Sequence, residues 1–366
     1  MPLTSNQVTQ RMIAAYFQDA TPQMFLSGMF QTPPANLHSS EEVSIDIERS
    51  EEEVSPVISD LSAGHNYTAA DTYVNKAFKP PIHKDAGVLN AFDLITRQPG
   101  QDPFQDPDFQ ANAMERAFRK FRKLEYRIRR AIELQASQVL QTGVIELFDN
   151  DGNKVYTLDY QARSDHFPTA AEAWGTADAD SLSDLKSLGS TIRTNGLAKP
   201  DMAIMGIDAF DAFIQEQKVR DLLDNRRIDL GAFQRMEEMV GEGGEFRGSV
   251  DVGNYQMAVW TYDGRYKDPE TGDSKRYLDP AKVIVRDSGG RLDATFGAIP
   301  RIVQPDQRVM PFLPGRLASP ELGMDIHTNA WVSPDGENLH VAAGSRPLMI
   351  PTAIDRFGCL DTQASS

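Results

Sequence analysis

The 366-residue chain has one cysteine, Cys359, so an internal disulfide framework is excluded and a small buried apolar side chain is expected there. It has no apolar run of the roughly 18 residues that a membrane-spanning helix needs. Its first residues also lack the basic stretch and apolar core of a secretory signal. These absences favour a cytosolic protein without a membrane partner.

Motifs of catalysis and metal binding are scarce as well. The six histidines are scattered, and none stands in a close metal-ligand spacing. Gly241–Gly244 lacks the lysine and hydroxyl residue of a phosphate-binding loop. Asp178, Asp180 and Asp184 miss the spacing of a calcium loop, and we expect them at a helix start, where acids complement the helix dipole. The sequence therefore predicts no catalytic residue, no metal site and no cofactor.

The balance of charge is acidic. With 37 basic and 53 acidic residues, the formal net charge is −16 at pH 7. Such a balance argues against a protein that coats DNA with its whole surface. It suits a protein that must stay soluble at high copy number.

Positive charge is nevertheless concentrated in residues 109–140, which predict a long amphipathic helix. At about 100° per residue, six side chains fall within one narrow band, the basic stripe: Arg116, Arg119, Lys120, Lys123, Arg127 and Arg130. The opposite side of the helix is apolar, and we expect it to pack against a core. This apolar face consists of Met114, Ala117, Phe118, Phe121, Leu124, Ile128, Ile132 and Val139. Gly143 is the expected residue that follows the helix.

The basic stripe has several interpretations. It suits an ordinary solvated helix face, contact with nucleic-acid phosphates, a membrane surface, or contact with another copy of the chain. An acidic run upstream of the helix offers the counterpart for contact between copies. The glutamates of that run are Glu41, Glu42, Glu48, Glu51, Glu52 and Glu53.

The segment before the helix predicts extended structure. Val43, Ile45 and Ile47 alternate with polar residues, which is the spacing of a half-buried strand. Residues 54–58 predict a returning strand, and the prolines that recur up to Pro107 exclude long helices. With so little core-forming pattern, residues 39–108 need a surface supplied from elsewhere.

The segment after the helix predicts a hairpin and then an α/β pattern. Residues 144–148 and 154–158 flank a turn sequence. Residues 182–192 predict a helix that ends at Asn195-Gly196, and Asp208 is the expected cap of the next helix. The other predicted strands are 202–207, 257–260, 283–285 and 347–350.

Five local sequences, in their order along the chain, point to one family. They are Val54-Ser55-Pro56-Val57-Ile58, Ala77-Phe78-Lys79-Pro80-Pro81-Ile82-His83-Lys84, Trp174 followed by Asp178 and the helix from Leu182, Leu222-Leu223-Asp224-Asn225-Arg226-Arg227, and Arg346-Pro347-Leu348-Met349-Ile350. Over nearly its whole length the chain resembles the major capsid proteins of tailed bacteriophages, in particular the phage lambda capsid protein E family. The resemblance implies an α+β tailed-phage capsid fold, the Johnson fold, with a spine helix.

The resemblance also implies a division of the chain. Residues 1–38 would form an N-terminal arm, and residues 39–108 an extended loop and crossover. Residues 109–173 would form the peripheral domain with its spine helix and hairpin. Residues 174–318 would form the axial domain, and residues 319–366 would return to the peripheral domain.

The implied function is structural rather than enzymatic. Hexamers and pentamers would form an icosahedral head around double-stranded DNA, bound without base recognition. The implied partners are other copies of the chain, a portal and a scaffolding protein, which we expect to be separate because the sequence begins at Met1. Whether a decoration protein joins them stays open, as does whether the basic stripe faces DNA or a neighbour. The expected location is the virion capsid, after assembly in the host cytoplasm.

Two other functions stay open from the residues alone. One is a soluble nucleic-acid-binding protein that uses the basic stripe. The other is a different virion protein, such as a tail-tube subunit. The first predicts a discrete particle, and the second predicts rings or rods rather than closed shells.

Overall fold

The computed structural model describes residues 22, 24–37, 43–48, 73–90, 109–148, 153–220, 243–268, 271–299, 325–333 and 337–363. The side chains of residues 35, 44–48, 73–78 and 109–115 are outside this description. The returning strand predicted at 54–58 and the motif at Leu222–Arg227 lie outside the described residues.

The predicted long helix is present as α1, Phe109–Thr142. It ends at Gly143, whose φ of +69° is the left-handed conformation expected of that residue. The predicted helix after Trp174 is α2, Ser181–Gly196, and its cap Asp180 accepts a hydrogen bond from the backbone N–H of Ser183 at 3.1 Å.

Helix α3, Ile207–Gln215, begins two residues earlier than a cap at Asp208 would require, so that expected cap is wrong. Gly206 occupies the cap position instead. A Cβ at Gly206 would lie 2.4 Å from the carbonyl oxygens of Asp279 and Pro280. The close approach of these backbones requires glycine and fixes where the helix starts.

The strands follow the predicted order, with additions. In chain order they are β1 Val43–Glu48, β2 Tyr73–Phe78, β3 His83–Asn90, β4 Val144–Phe148, β5 Lys154–Asp159, β6 Met202–Met205, β7 Gly244–Val252, β8 Tyr255–Tyr262, β9 Arg265–Lys267, β10 Ser274–Arg276, β11 Lys282–Arg286, β12 Asp293–Phe296, β13 His327–Val332, β14 Asn338–Ser345, β15 Pro347–Ile350 and β16 Phe357–Asp361. The hairpin predicted after the long helix is β4–β5.

The strand predicted from the alternating residues 43–47 is confirmed as β1. Its described partner is β2, in antiparallel register from Val43 opposite Phe78 to Glu48 opposite Tyr73. No strand was predicted at residues 73–78. Among the described strands, β1 and β2 form a sheet of their own.

A five-stranded sheet in the order β16-β11-β6-β8-β7 separates two apolar clusters. Ala203 and Val283 face the cluster that includes side chains of α2 and α3. Ile204, Ile284 and Cys359 face the cluster around α1. Because successive residues of a strand point to opposite faces, each face of this sheet packs against one of the two clusters. The expectation that Cys359 is a buried apolar side chain is confirmed.

A second sheet, in the order β13-β14-β3, packs against α1 through β14 and β3. Residues 24–30 also join the cluster around α1. Phe25 and Leu26 are fully buried, and the Phe25 ring lies 5.1 Å from the Tyr262 ring. This part of the predicted N-terminal arm is therefore fixed to the core.

Candidate functional site

Helix α1 has two parts with different surroundings. Up to Arg130 it carries the basic stripe, whereas most side chains from Ile132 to Leu140 are buried. No lysine or arginine follows Arg130 within the helix. The basic residues stop where protein surrounds the helix, because a buried charge without a partner costs free energy.

The predicted apolar face is largely confirmed. Its members Leu124, Ile128, Ile132 and Val139 are buried. Phe121 is half-buried against the core, whereas Phe118 is 44% exposed. Placing Phe118 in the core was wrong, because it lies at the margin of the apolar face, away from Leu124 and Ile128.

Two members of the basic stripe contact β3 of the same chain. The Lys120 ammonium donates a hydrogen bond to the carbonyl oxygen of Val88. The Arg127 guanidinium nitrogen Nε lies 3.2 Å from Oδ2 of Asp85. Part of the stripe therefore attaches the helix to the sheet.

The other members of the stripe differ in exposure. Lys123 is exposed, and Arg116, Arg119 and Arg130 are half-buried. Of the acidic run, Glu48 lies in β1, and Glu41, Glu42, Glu51, Glu52 and Glu53 lie outside the described residues. Contact between the stripe and the acidic run therefore stays a prediction.

A buried carboxylate, which the sequence did not point to, joins α1 to two other segments. Glu133 is fully buried, and its oxygens accept hydrogen bonds from the backbone N–H groups of Leu26 and Ser27 at 2.8 and 2.9 Å. The hydroxyl groups of Ser27 and Tyr262 donate to it too. One side chain thus fixes residues 24–30 and β8 to the helix.

Burial raises the pKa of Glu133 above its ordinary value, because desolvation disfavours the charged form. The hydrogen bonds from Ser27, Leu26 and Tyr262 act in the opposite direction. None of the ion pairs in the described part of the chain includes Glu133. The carboxyl group is therefore held by hydrogen bonds from neutral donors rather than by a cation.

Two glutamines fix the rest of α1 to neighbouring backbone. The Gln138 amide donates to the carbonyl of Glu146 at 2.8 Å and accepts from the N–H of Glu146 at 3.1 Å. Gln141 donates to the carbonyl of Tyr277 at 2.9 Å and accepts from the N–H of Asp279 at 3.0 Å. The only sequence signal for this arrangement is the loss of basic residues after Arg130.

The described residues were compared with the patterns of a metal site and of a membrane-spanning helix. They contain no group of three or more histidine, cysteine, aspartate or glutamate side chains placed to hold a metal ion. No helix among them is long and apolar enough to cross a membrane. Burial raises the pKa of the Cys359 thiol to about 12, so it is a poor nucleophile.

Comparison with known proteins gives a family and a fold. The model of the family Phage major capsid protein E matches residues 9–357. A crystal structure described as the capsid protein of an Escherichia coli CFT073 prophage is 18% identical, and the alignment covers 99% of both chains at a TM-score of 0.64. That likeness confirms the expected tailed-phage capsid fold, the Johnson fold.

Weaker structural matches carry no argument of their own. They include a chain from Mycobacterium phage Adephagia, with 10% identity, coverage of 100% and 99%, and a TM-score of 0.47. A phage-related protein of Bordetella bronchiseptica RB50 has 10% identity, coverage of 99% and 98%, and a TM-score of 0.46. No curated protein matches the sequence.

The family match spans nearly the whole chain, from residue 9 to residue 357. The family is structural, and its name describes the principal protein of the icosahedral phage head. The chain therefore belongs to the phage major capsid protein E family and is a structural protein of the capsid.

Proposed function

We propose that many copies of this chain form hexamers and pentamers that close into a shell around double-stranded DNA. The β1–β2 hairpin carries this proposal, because it is a two-stranded sheet with no third strand among those described. Val43, at its base, is 2% exposed and joins the core. A two-stranded hairpin is marginally stable alone in water, so a neighbouring copy is the natural source of the missing contacts.

The basic stripe and the acidic residues 41–53 contribute to the contacts between copies in this proposal. One exposed ion pair contributes only about 0–1 kcal/mol. A network repeated over many copies still sets register and speeds encounter, because opposite potentials steer association. The exposure of Lys123 supports this role.

The remaining assignments follow from the family. The predicted division into arm, extended loop, peripheral domain, axial domain and C-terminal return is part of the proposal. The portal, a scaffolding protein and packaged DNA are the proposed partners, and assembly takes place in the host cytoplasm. The protein acts by binding and not by catalysis.

Assembly of the purified protein, alone and with its scaffolding protein, tests the proposed function. We expect closed shells in electron micrographs and one fast-sedimenting species in the ultracentrifuge. Monomers under every assembly condition would contradict the proposal. Rings or rods would instead indicate a tail-tube or other virion protein.

Charge reversal on α1 tests the role of the stripe. We expect Arg119→Glu with Lys123→Glu to block or misdirect assembly. A matched control is Lys186→Glu with Lys199→Glu, because both lysines are exposed and lie outside α1. Normal shells with a reduced DNA content would show instead that these two residues face DNA.

A further inference from the structure

Residues 24–37, the strap, contact α1 and continue beside β12. Gln31 pairs with Asp293, and Leu37 pairs with Phe296, each in an isolated parallel bridge. These bridges are separate points of attachment rather than a continuous ladder of hydrogen bonds. The strap can therefore leave β12 without disrupting the pairing of β12 with β15.

The inner end of the strap is held by the side chain of Phe25. Its ring is fully buried and lies 5.8 Å from the Trp260 ring and 5.1 Å from the Tyr262 ring, both on β8. A Cβ at Gly244, the first residue of β7, would overlap the Phe25 ring. The ring therefore occupies space that exists because residue 244 has no side chain.

The strap also supplies most of the donors that hold Glu133. Leu26 donates its N–H group, and Ser27 donates both its N–H group and its hydroxyl group. The fourth donor, the Tyr262 hydroxyl group, belongs to β8. Departure of the strap would remove three of these four donors, and a buried charge with too few partners is unstable.

A hydroxyl group near Glu133 lacks a partner. Tyr277 is 4% exposed, and its hydroxyl group forms no hydrogen bond within the part of the chain that the structure describes. Burial raises the pKa of Tyr277, and the charge of Glu133 raises it further, so the two groups lie within electrostatic reach. A buried hydroxyl group without a partner costs free energy. Tyr277 is therefore a donor held in reserve for Glu133.

We propose that the strap is releasable and that the charge of Glu133 controls its release. While Glu133 is protonated, the strap stays docked on α1 and β8. When Glu133 loses its proton to water, the strap leaves, and the carboxylate accepts hydrogen bonds from the Tyr277 hydroxyl group and from water instead. The device lies within one subunit, so it does not depend on the proposed assembly.

The surroundings of Glu133 set the direction of the switch. The Ser27 hydroxyl group can accept a hydrogen bond as well as donate one, so a protonated Glu133 is also satisfied in the docked strap. Burial raises the pKa of Glu133, because desolvation disfavours its charged form. Rising pH therefore favours release.

Few other titratable groups face Glu133. The strap itself contains none. Burial raises the pKa values of Tyr262 and Tyr277, and Arg130 acts on Tyr277 in the opposite direction. Both tyrosines therefore stay neutral while Glu133 titrates.

Release would change how α1 is held. The docked strap binds α1 through Glu133 and packs on β8 through Phe25, so it ties the helix to the five-stranded sheet. An open strap removes this tie and uncovers the apolar space that Phe25 fills. The inference therefore predicts a subunit in which the helix and the sheet are less firmly joined at high pH.

Hydrogen exchange in a peptide that covers residues 24–31 measures docking in the dilute, full-length chain. After correction for the intrinsic exchange rate, we expect protection at pH 8 to be lower than at pH 5 by about fivefold or more. Glu133→Gln should abolish this difference. Glu125→Gln is the matched control on the same helix, because Glu125 pairs with Arg129 and not with the strap, and it should keep the difference.

Peptides from β6 and β11 report global unfolding and should be equally protected at both pH values. Equal protection of residues 24–31 at both pH values would overturn the inference. A pH dependence that survives in Glu133→Gln would overturn it too, because another group would then control the strap.

Tyr277→Phe tests the reserve donor. Removal of the hydroxyl group takes a partner from the released state and an unsatisfied group from the docked state. We therefore expect higher protection of residues 24–31 at pH 8 than in the unaltered chain. Tyr266→Phe is the control, because the Tyr266 ring packs on Tyr277 at 5.0 Å but does not contact Glu133, and it should leave protection unchanged. Unchanged or lower protection in Tyr277→Phe would contradict the role of this hydroxyl group.

Gly244→Ala releases the strap without altering any charge. The added methyl group should displace the Phe25 ring and lower protection of residues 24–31 at both pH values. Gly289→Ala is the control, because the nearest atom to an added Cβ there is 3.5 Å away. Full protection in Gly244→Ala, with β6 and β11 still protected, would show that Phe25 does not hold the strap in place.

Discussion

Ile128 and Phe118 lie on the same helix but differ in what surrounds each side chain. Ile128 is 2% exposed, and Phe118 is 44% exposed. Ile128→Ala removes buried carbon and leaves a cavity, so the free energy of unfolding should fall by about 2–5 kcal/mol. Phe118→Ala, the control, should cost less than about 1 kcal/mol. Urea unfolding of unassembled protein measures both, and equal losses would show that the core face is misassigned.

Glu133 should make stability depend on pH. Because its pKa is raised in the folded state, the folded protein holds this proton more tightly than the unfolded chain does. Its contribution is therefore fully present below the unfolded pKa of 4.5 and is lost as pH rises through the folded pKa.

Comparison of the unaltered chain with Glu133→Gln isolates this effect, because glutamine keeps the shape and does not titrate. Urea unfolding between pH 4.5 and pH 8 should show the advantage of the unaltered chain shrinking as pH rises. An advantage that grows with pH would mean that the donors from Leu26, Ser27 and Tyr262 outweigh desolvation. The pKa of Glu133 would then lie below its ordinary value.

The sequence predicted the surroundings of some residues of α1 but not of others. The buried members of the apolar face follow from helical spacing, which is a local property. Glu133 does not, because its donors on residues 26, 27 and 262 are more than 100 positions away. Helical spacing also gives no measure of how wide a buried face is, so Phe118 was misplaced.

At the scale of elements, Gly143 ends α1 and fixes the angle at which β4 begins. Its φ is +69°, and an added Cβ would lie 2.8 Å from Cβ of Ala162. Gly143→Ala should therefore lower the melting temperature through backbone strain of about 1–2 kcal/mol and through this clash.

Gly272→Ala is the matched control for that change. Gly272 has a similar φ of +74°, but the nearest atom to an added Cβ is 3.7 Å away, on the flexible Lys267 side chain. Gly272→Ala should introduce the backbone strain without the clash, so its melting temperature should fall by less than that of Gly143→Ala. An equal loss at both glycines would contradict the role of the contact with Ala162.

The elements that the sequence predicted well are those with strong local signals. The length of α1, the β4–β5 hairpin and strands β1 and β8 follow from periodicity and turn residues. Strands β2 and β3 were missed, because prolines at 80 and 81 next to them suggested irregular structure. Both depend on partners distant in sequence, since β3 pairs with β14.

At the scale of the whole molecule, complementary charge should make assembly sensitive to salt. Exposed charges are screened over about 10 Å at 0.1 M ionic strength. Light scattering should therefore show slower assembly as sodium chloride rises from about 0.05 to 0.5 M, over which the screening length falls severalfold. Assembly that is indifferent to salt would contradict an electrostatic contact between the acidic run and α1.

The sequence predicted the family and the fold of the whole molecule, but not the cavity beside α1. The order of five short motifs indicated the capsid family, which the family match over residues 9–357 confirms. This cavity of about 1260 Å³ combines side chains from β3, α1 and the hairpins β4–β5 and β9–β10, which are distant in sequence. Only the folded chain shows that Lys120 and Arg127 already serve the subunit itself.

If the subunit is incomplete alone, a neighbouring copy stabilises its β1–β2 hairpin. Hydrogen exchange at the backbone amides of β1 and β2, in the dilute subunit and in the assembled shell, tests this most directly. We predict fast exchange in the subunit and at least tenfold slower exchange in the shell, with little change in the buried strands β6 and β11. Equally slow exchange of β1 and β2 in the dilute subunit would contradict the account.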